Sequence, residues 1–238
     1  MIQLHRPMTL KVAVLTGAGI SAESGVPTFR GQGGLWKSFR PEELATPEAF
    51  RKDPAIVWEW YLWRRSLIAK AEPNEGHLGL VELESMLGDN FLLITQNVDG
   101  LHQKAGSKRL VELHGNIWRV RCLSCGAVYE DRRVQSKEFP PRCKECGGLI
   151  RPDVVWFGEP LPIEALEKAV SWASSCSIFV SVGTSALVYP AAELPYIAKR
   201  SGAKVVEINP EETPVSEIGD VIIREPASKG IRKLLRML

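Results

Sequence analysis

Four cysteines, set as Cys122-x2-Cys125 and Cys143-x2-Cys146, have the side chains and the spacing of a four-thiolate metal site. A glycine follows each knuckle, at Gly126 and Gly147, and such turns aim backbone amides at the sulfurs and offset the charge of four thiolates. Two disulfides are the other arrangement these residues allow, but close pairs in a reducing compartment point to zinc. Four protein ligands fill the tetrahedron and leave no position for water or substrate, so one structural zinc per chain is expected. Cys176, just before an apolar run, reads as an ordinary buried thiol.

Reactive chemistry must then lie elsewhere. The stretch VAVLTGAGISAESGVPTFRG, residues 12–31, sends an apolar run into Gly17-Ala18-Gly19 and then into a helix-compatible segment. Taken alone, such a turn serves either close packing or an amide-lined site for a pyrophosphate at a helix N-terminus. A dinucleotide fold normally places an acidic residue about 20 positions later to hold the ribose. Here that region reads Pro27-Thr28-Phe29-Arg30, which is polar, aromatic and cationic. Three further polar clusters end apolar runs: Gln96-Asn97-Val98-Asp99, Gly183-Thr184-Ser185 and Asn209-Pro210-Glu211. In an open parallel sheet, ligands bind outside the carboxyl ends of strands, so the four clusters converge on one crevice. His114, before Gly115, closes another short apolar run, and a neutral imidazole suits removal of a proton from a ribose hydroxyl. His5, His77 and His102 lack that setting and read as structural.

Positioning these groups requires a sheet. Apolar runs at residues 11–16, 91–95, 177–182, 204–208 and 221–224 read as buried parallel strands, with helical segments between several of them. Residues 163–173 and 230–238 have helical spacing, and residues 54–70 form an aromatic-rich helix under a pocket wall, with Trp58, Trp60, Tyr61 and Trp63. The expected architecture is α/β: a Rossmann-like parallel sheet with helices on both faces, plus a small zinc-ribbon and helical insert. Its parts are a nucleotide-binding domain from residues 1–30, 76–120 and 150–238, a helical insert at 31–75, and a zinc ribbon at 121–149.

Composition bounds the remaining options. At 238 residues, with 45% hydrophobic and 24% charged residues and a net charge of +2, the chain is expected to be globular with no nucleic-acid partner. No apolar run reaches eighteen residues, and the start MIQLHRPMTLK has too short an apolar stretch for a secretory signal, so a cytoplasmic, membrane-free monomer is expected.

The sequence resembles the sirtuins, NAD-dependent protein lysine deacylases, nearly end to end. The resemblance rests on residues 17–21 and 24–31, on Thr95-Gln96-Asn97-Val98-Asp99-Gly100-Leu101-His102, on His114-Gly115, on the four cysteines, on Val155-Trp156-Phe157-Gly158-Glu159 and on Gly183-Thr184-Ser185. It implies that NAD is a consumed co-substrate: the acyl-lysine oxygen attacks the anomeric carbon, nicotinamide leaves, and the acyl group ends on ADP-ribose. It implies NAD contacts from Gly17, Ala18, Gly19, Ala22, Thr28, Phe29, Arg30, Trp36, Gln96, Gly183, Thr184 and Ser185, with Asn97 and Asp99 lining the nicotinamide pocket. Asn209, Glu211 and Ala227 align with adenosine-side contacts on position alone. His114 becomes the general base, and Val155, Trp156, Phe157, Gly158 and Glu159 become the edge on which an acylated-lysine peptide pairs as an added strand.

Within the aromatic segment, Tyr61 and Arg64 are three apart and share a helix face. Together they would grip a carboxylate, which narrows the resemblance to the subgroup that removes succinyl, malonyl or glutaryl groups. The alternative is a packed tyrosine beside a solvated arginine. The competing activities are NAD hydrolysis or ADP-ribosyl transfer to protein; a zinc-ribbon binding module fits only a small share of the chain. An oxidoreductase would need the missing ribose acid and a hydride acceptor site, and steady absorbance at 340 nm during NAD consumption would separate it from a transferase.

Overall fold

The computed structural model describes residues 10–30 and 34–238. Six parallel strands make the main sheet: β1 (Val12–Thr16), β2 (Phe91–Thr95), β3 (Leu110–Glu112), β7 (Ile178–Val182), β8 (Lys204–Ile208) and β9 (Val221–Ile223). Their order is β3-β2-β1-β7-β8-β9, so the chain winds outward from β1 to one side and then from β7 to the other. The pairing is in phase at the centre, with Thr16 opposite Thr95 on one side and Val182 on the other. This is the doubly wound arrangement, and its direction reverses between β1 and β7, where a crevice opens.

The strands are apolar throughout because helices cover both faces. Val12 and Val14 face a cluster with Leu80 and Leu83 of α5 (Glu75–Leu87) and Ile231 and Leu234 of α9 (Ala227–Leu235). Ala13 and Leu15 face the other cluster, with Ala169 and Ala173 of α7 (Ile163–Ala173) and Ala198 of α8 (Leu194–Arg200). Helix α9 starts three residues before the expected 230 because Gly230 is an interior position, not a boundary. A Cβ there would lie 2.1 Å from Ile208 Cγ2, so the glycine lets the helix rest on β8.

A second, antiparallel sheet in the order β5-β4-β6 comprises β4 (Gly115–Cys122), β5 (Val128–Glu130) and β6 (Ile150–Val154). It thus begins before residue 121 and ends after 149, the bounds expected for the ribbon. Its inward side chains, Ile117, Val120 and Ile150, are core-grade, because they pack under α4 (Pro54–Ile68) in a third cluster with Trp58 and Leu62. Pro54 begins α4, and the Asp53 carboxylate caps it by accepting from the amides of Ala55 and Ile56, each at 3.1 Å.

Two histidines are sealed between these layers. The Asn74 amide donates to His77 Nδ1 at 3.2 Å, so the ring proton sits on Nε2, which faces Ser21 Oγ at 3.4 Å. Burial holds His77 at about 4 and pushes His102, 4.9 Å from it ring to ring, well below the ordinary value. The unfolded chain therefore takes up protons first as pH falls from about 6.5 to about 4, and stability complete above that window is lost through it. His77 alone accounts for about 3 kcal/mol. Urea unfolding midpoints measured from pH 7.5 to 4.5 should fall steeply for the wild type and less steeply for His77→Asn; parallel slopes would refute the assignment.

Candidate functional site

The glycine turns after β1 and β7 meet at the crevice. A Cβ on Gly17 would lie 2.8 Å from the Gly183 carbonyl oxygen, and one on Gly19 would lie 2.7 Å from Gly183 Cα. Gly183 has φ +58°, and its own Cβ would strike the Ile20 nitrogen at 2.6 Å. Glycine is required here by close approach of two backbones. The amides of Gly17 and Gly19 are also committed within the fold, donating to the carbonyls of Val182 at 3.0 Å and Gly183 at 2.8 Å. These two amides are thus spent inside the fold, α1 (Gly19–Ala22) is a single turn, and Gly17, Ala18, Gly19 and Ser185 all line the crevice.

The crevice is a cleft of about 770 Å³, within the range of small-molecule sites. Gly17, Ala18, Gly19, Ala22, Thr28, Phe29, Arg30, Gln96, Asn97, Gly183, Thr184, Ser185, Asn209, Glu211 and Ala227 all line it, as do His114, Tyr61, Arg64 and residues 155–159. Two expected positions do not join them. The side chain of Trp36 lies outside the described residues, its backbone forming part of a 3-10 turn, Leu35–Lys37. Asp99 sits behind the lining rather than in it. Its carboxylate accepts from Ser21 Oγ at 2.7 Å and from the Leu101 amide at 2.9 Å, and burial raises its pKa. Asn97 reaches the wall because its side-chain amide donates to the Gly17 carbonyl at 3.1 Å and to Ser21 Oγ at 3.3 Å.

His114 stands at the joint between the two sheets. Gly115 makes the turn possible: its φ is +79°, and a Cβ would lie 2.1 Å from the Asp153 carbonyl oxygen. The His114 carbonyl accepts from the Val155 amide at 2.9 Å, which fixes the backbone. Its Nδ1 donates to the Gln96 carbonyl at 3.0 Å, and since a carbonyl can only accept, the proton is on Nδ1 and the lone pair on Nε2. Burial lowers the pKa, while the bond to Gln96 acts in the opposite sense. The Gln96 side-chain amide donates to Thr184 Oγ1 at 2.9 Å, joining the strand ends on either side of β1.

Residues 155–159 form a braced edge. Arg151 makes two hydrogen bonds to the Glu159 carboxylate, at 2.5 and 2.9 Å, and lies 3.4 Å from the Trp156 ring centroid. The Phe157 amide donates to the Ala45 carbonyl at 2.9 Å, and the Trp156 indole donates to Tyr61 Oη at 2.9 Å. Tyr61 and Arg64, both buried, come from α4. Burial raises the Tyr61 pKa and lowers that of Arg64. The Arg64 guanidinium carbon packs 4.7 Å from the Phe29 ring centroid, 4.9 Å from that of Trp60 and 6.0 Å from that of Tyr61. Aromatic faces hold the cation without neutralising it.

Sequence reading missed Leu187, Val188 and Tyr189, which line the facing wall beyond Ala186, a non-glycine residue at φ +54°. A short apolar stretch after the Gly183 turn carries no chemical signature. It also missed Glu207, buried on β8, which accepts from Ser216 Oγ at 2.6 Å and Arg224 at 2.7 Å and steadies the loop carrying Asn209 and Glu211.

The four cysteine sulfurs lie within 4.8 Å of one another. Cys122 and Cys146 are 3.5 Å apart and Cys125 and Cys143 3.9 Å apart, bracketing the roughly 3.8 Å edge of a tetrahedron with 2.3 Å zinc–sulfur bonds. The amides of Ser124 and Glu145 point at Cys122 and Cys143, each at 3.4 Å. The donor set fits one structural zinc with all four positions filled by protein. Among the described residues no helix is long and apolar enough to cross a membrane.

Comparison with known proteins agrees with this geometry. The sequence model of the Sir2 family matches residues 17–190. The chain is 59% identical over 225 residues to an NAD-dependent protein deacylase of Aquifex aeolicus, covering 94% of each. It is 57% identical to one from Thermococcus kodakarensis, covering 93% of this chain and 88% of the relative. Among solved structures, it superposes on a Sir2 homologue–NAD complex with TM-score 0.88 at 47% identity, covering 95% of this chain and 88% of that one. A Sir2–p53 peptide–NAD+ complex gives TM-score 0.84 at 36% identity, covering 95% and 92%. On the strength of the matched residues, the strand order and the cysteine cluster together, this chain belongs to the Sir2 family.

Proposed function

We propose that this protein is an NAD-dependent protein lysine deacylase that moves the acyl group from lysine to ADP-ribose and releases nicotinamide. The observation that carries this reading is His114, with its lone pair on Nε2, in the wall of a cleft that also holds both the crossed glycine turns and the braced edge 155–159. NAD, when bound, supplies an electrophilic ribosyl carbon with nicotinamide as leaving group. The chain's residues do the rest. Ala18 and Ser185 give the phosphates a floor, Arg30 sits at the exposed edge as a cation for them, and Asn97 faces the nicotinamide end. Phe29 shields the ribose from water, and Asn209, Glu211 and Ala227 receive the adenosine side. His114 Nε2 takes the proton of a ribose hydroxyl, and Gln96 holds the ring in that tautomer. A water-poor cleft that orients both reactants supplies much of the rate.

The substrate is an acylated lysine on a protein or peptide, which pairs along residues 155–159 with Leu187 and Tyr189 opposite. The acyl preference extends to dicarboxylic groups such as succinyl and malonyl. Support comes from Arg64, a buried cation held by rings, beside a tyrosine hydroxyl that accepts from Trp156 and keeps its own proton to donate. Cysteines gathered as metal ligands, not paired as disulfides, accord with the cytoplasm, and the chain acts as a monomer without nucleic acid.

Mass spectrometry of one peptide carrying acetyl-lysine or succinyl-lysine, with and without NAD, tests both levels. The wild type is expected to remove both groups only with NAD. Arg64→Met is expected to lose about 10- to 100-fold in desuccinylation, the worth of a charge-assisted pair, and to keep deacetylation. Equal removal of both groups by both proteins would discard the carboxylate grip and keep the deacylase. NAD consumption with no acyl loss would show NAD hydrolysis instead.

A further inference from the structure

Helix α4 presents two faces with different duties. Trp60, Tyr61 and Arg64 look into the cleft, while Trp58 and Arg65, seven residues apart and so on one face, are fastened to the small sheet. The Trp58 indole donates to the Ile150 carbonyl of β6 at 2.8 Å. Arg65 is fully buried, and its fork reaches three groups outside the helix: Nε donates to the Ile117 carbonyl of β4 at 2.8 Å, and one terminal nitrogen donates to the Arg133 carbonyl at 3.1 Å and lies 3.3 Å from Asp131 Oδ2. Its guanidinium carbon lies 5.4 Å from the Trp58 ring centroid and 5.8 Å from that of Trp118. Asp131 also pairs with Arg133 at 2.8 Å and is nearly as buried.

A buried ion pair is a poor source of stability, because desolvating two charges costs about as much as their attraction returns. Among the described residues, one guanidinium nitrogen of Arg65, Nη2, and Asp131 Oδ2 have no hydrogen-bond partner, so the pair is not even fully satisfied. Such an arrangement fixes geometry more than it adds stability. What it fixes is the last turn of α4, next to Arg64. Tyr61, one turn earlier, has a separate anchor in the Trp156 indole. Arg64, by contrast, touches rings that would not stop the helix end from rolling.

We propose that Arg65, through its pair with Asp131 and its bonds to Ile117 and Arg133, is the positioning residue that sets Arg64 for negatively charged acyl groups. The small sheet is thereby a determinant of acyl selectivity. The proposal rests on the carboxylate-grip reading of Arg64. Deacetylation does not require it, since Asn97 and the glycine turns stand at the end of the main sheet, and His114, at the joint of the two sheets, is held by the Gln96 carbonyl and the Val155 amide and not by Arg65.

The test compares wild type, Arg64→Met, the double variant Arg65→Met/Asp131→Leu, and Arg65→Lys, each with acetyl and succinyl peptides under saturating NAD. The double variant removes both buried charges together, and the Arg133 charge that loses Asp131 is partly exposed to water, so no lone buried charge is left to unfold the protein. Arg65→Lys keeps a cation opposite Asp131 but cannot fork to two carbonyls, and it decides the matter should the double variant fail to fold. For each, an unfolding midpoint near wild type accompanies the kinetics. The expected result is a KM for the succinyl peptide raised about tenfold or more, with kcat and KM for the acetyl peptide changed less than about threefold. A folded variant that keeps the wild-type succinyl-to-acetyl ratio while Arg64→Met loses it would overturn the positioning role alone. Equal falls for both peptides would also overturn it, since that is the mark of a merely structural residue. No succinyl effect in Arg64→Met would overturn the carboxylate grip and the proposal with it.

Discussion

Replacing His114 with alanine is expected to lower NAD-dependent deacylation by about 10²- to 10⁴-fold, the usual worth of a placed general base. The size of the effect follows from how completely the ring is specified. The Gln96 carbonyl permits one tautomer, the Val155 amide pins the backbone, and Gly115 admits the turn that brings the ring to the cleft. A substitute must reproduce all three and a lone pair on the far nitrogen. Burial also lowers the pKa, so at neutral pH the ring is already in its basic form. Activity should therefore rise with pH through a midpoint below about 6.5 and stay level at neutral pH. A midpoint above 6.5, or an alanine variant that keeps its rate, would remove His114 from the base role. Peptide binding should survive the substitution, because the edge at residues 155–159 is braced independently by Arg151 and Glu159.

The ease of reading His114 from sequence, and the difficulty of reading its neighbours, have one physical origin. Groups that do chemistry need unusual residue types at fixed spacing, so the cysteine knuckles, the crossing glycines and the histidine before glycine stand out. The central strands stand out as well, since a parallel sheet covered on both faces needs unbroken apolar runs. Residues that act by shape leave no such trace. Leu187 and Tyr189 are ordinary side chains until β7 ends beside the cleft and Ala186 adopts a left-handed backbone. Arg65 reads as the twin of Arg64; only the packing of α4 on β4 makes one a buried fastener and the other a cleft cation. Glycine misled in both directions. Gly17 and Gly19 suggest amides free for phosphate, yet those amides bond to Val182 of β7 and to Gly183 just after it, and Gly230 suggests a helix boundary although it lies inside α9. Asp99 accepts from the buried Ser21 hydroxyl and the Leu101 amide, partners that spacing cannot reveal, and so stands behind the cleft lining.

Removing zinc is expected to abolish activity and to unfold the small sheet, with the main sheet keeping its far-UV signal. Structural zinc in such sites contributes about 10–16 kcal/mol of apparent binding energy, comparable to the whole stability of a domain. In this chain that energy is joined to the cleft by packing. Cys122 and Cys143 belong to the same buried cluster as Ile117, Val120, Ile150, Trp58 and Trp156, so the ligands are themselves part of the core under α4. The sheet also carries His114 at one end, since β4 begins at Gly115 and pairs with Val154 just before the braced edge. When β4 and β6 separate, the Val155 amide leaves the His114 carbonyl and the base loses its backbone anchor. Chelation, or Cys143→Ser, should therefore remove deacetylation and desuccinylation alike, unlike Arg64→Met or the loosening of Arg65. Zinc content, tryptophan near-UV signal and both activities should fall together in a chelator titration, at one zinc per chain. Full activity in a chain freed of zinc would show that the small sheet holds its strands by packing alone and that the metal is dispensable to the cleft.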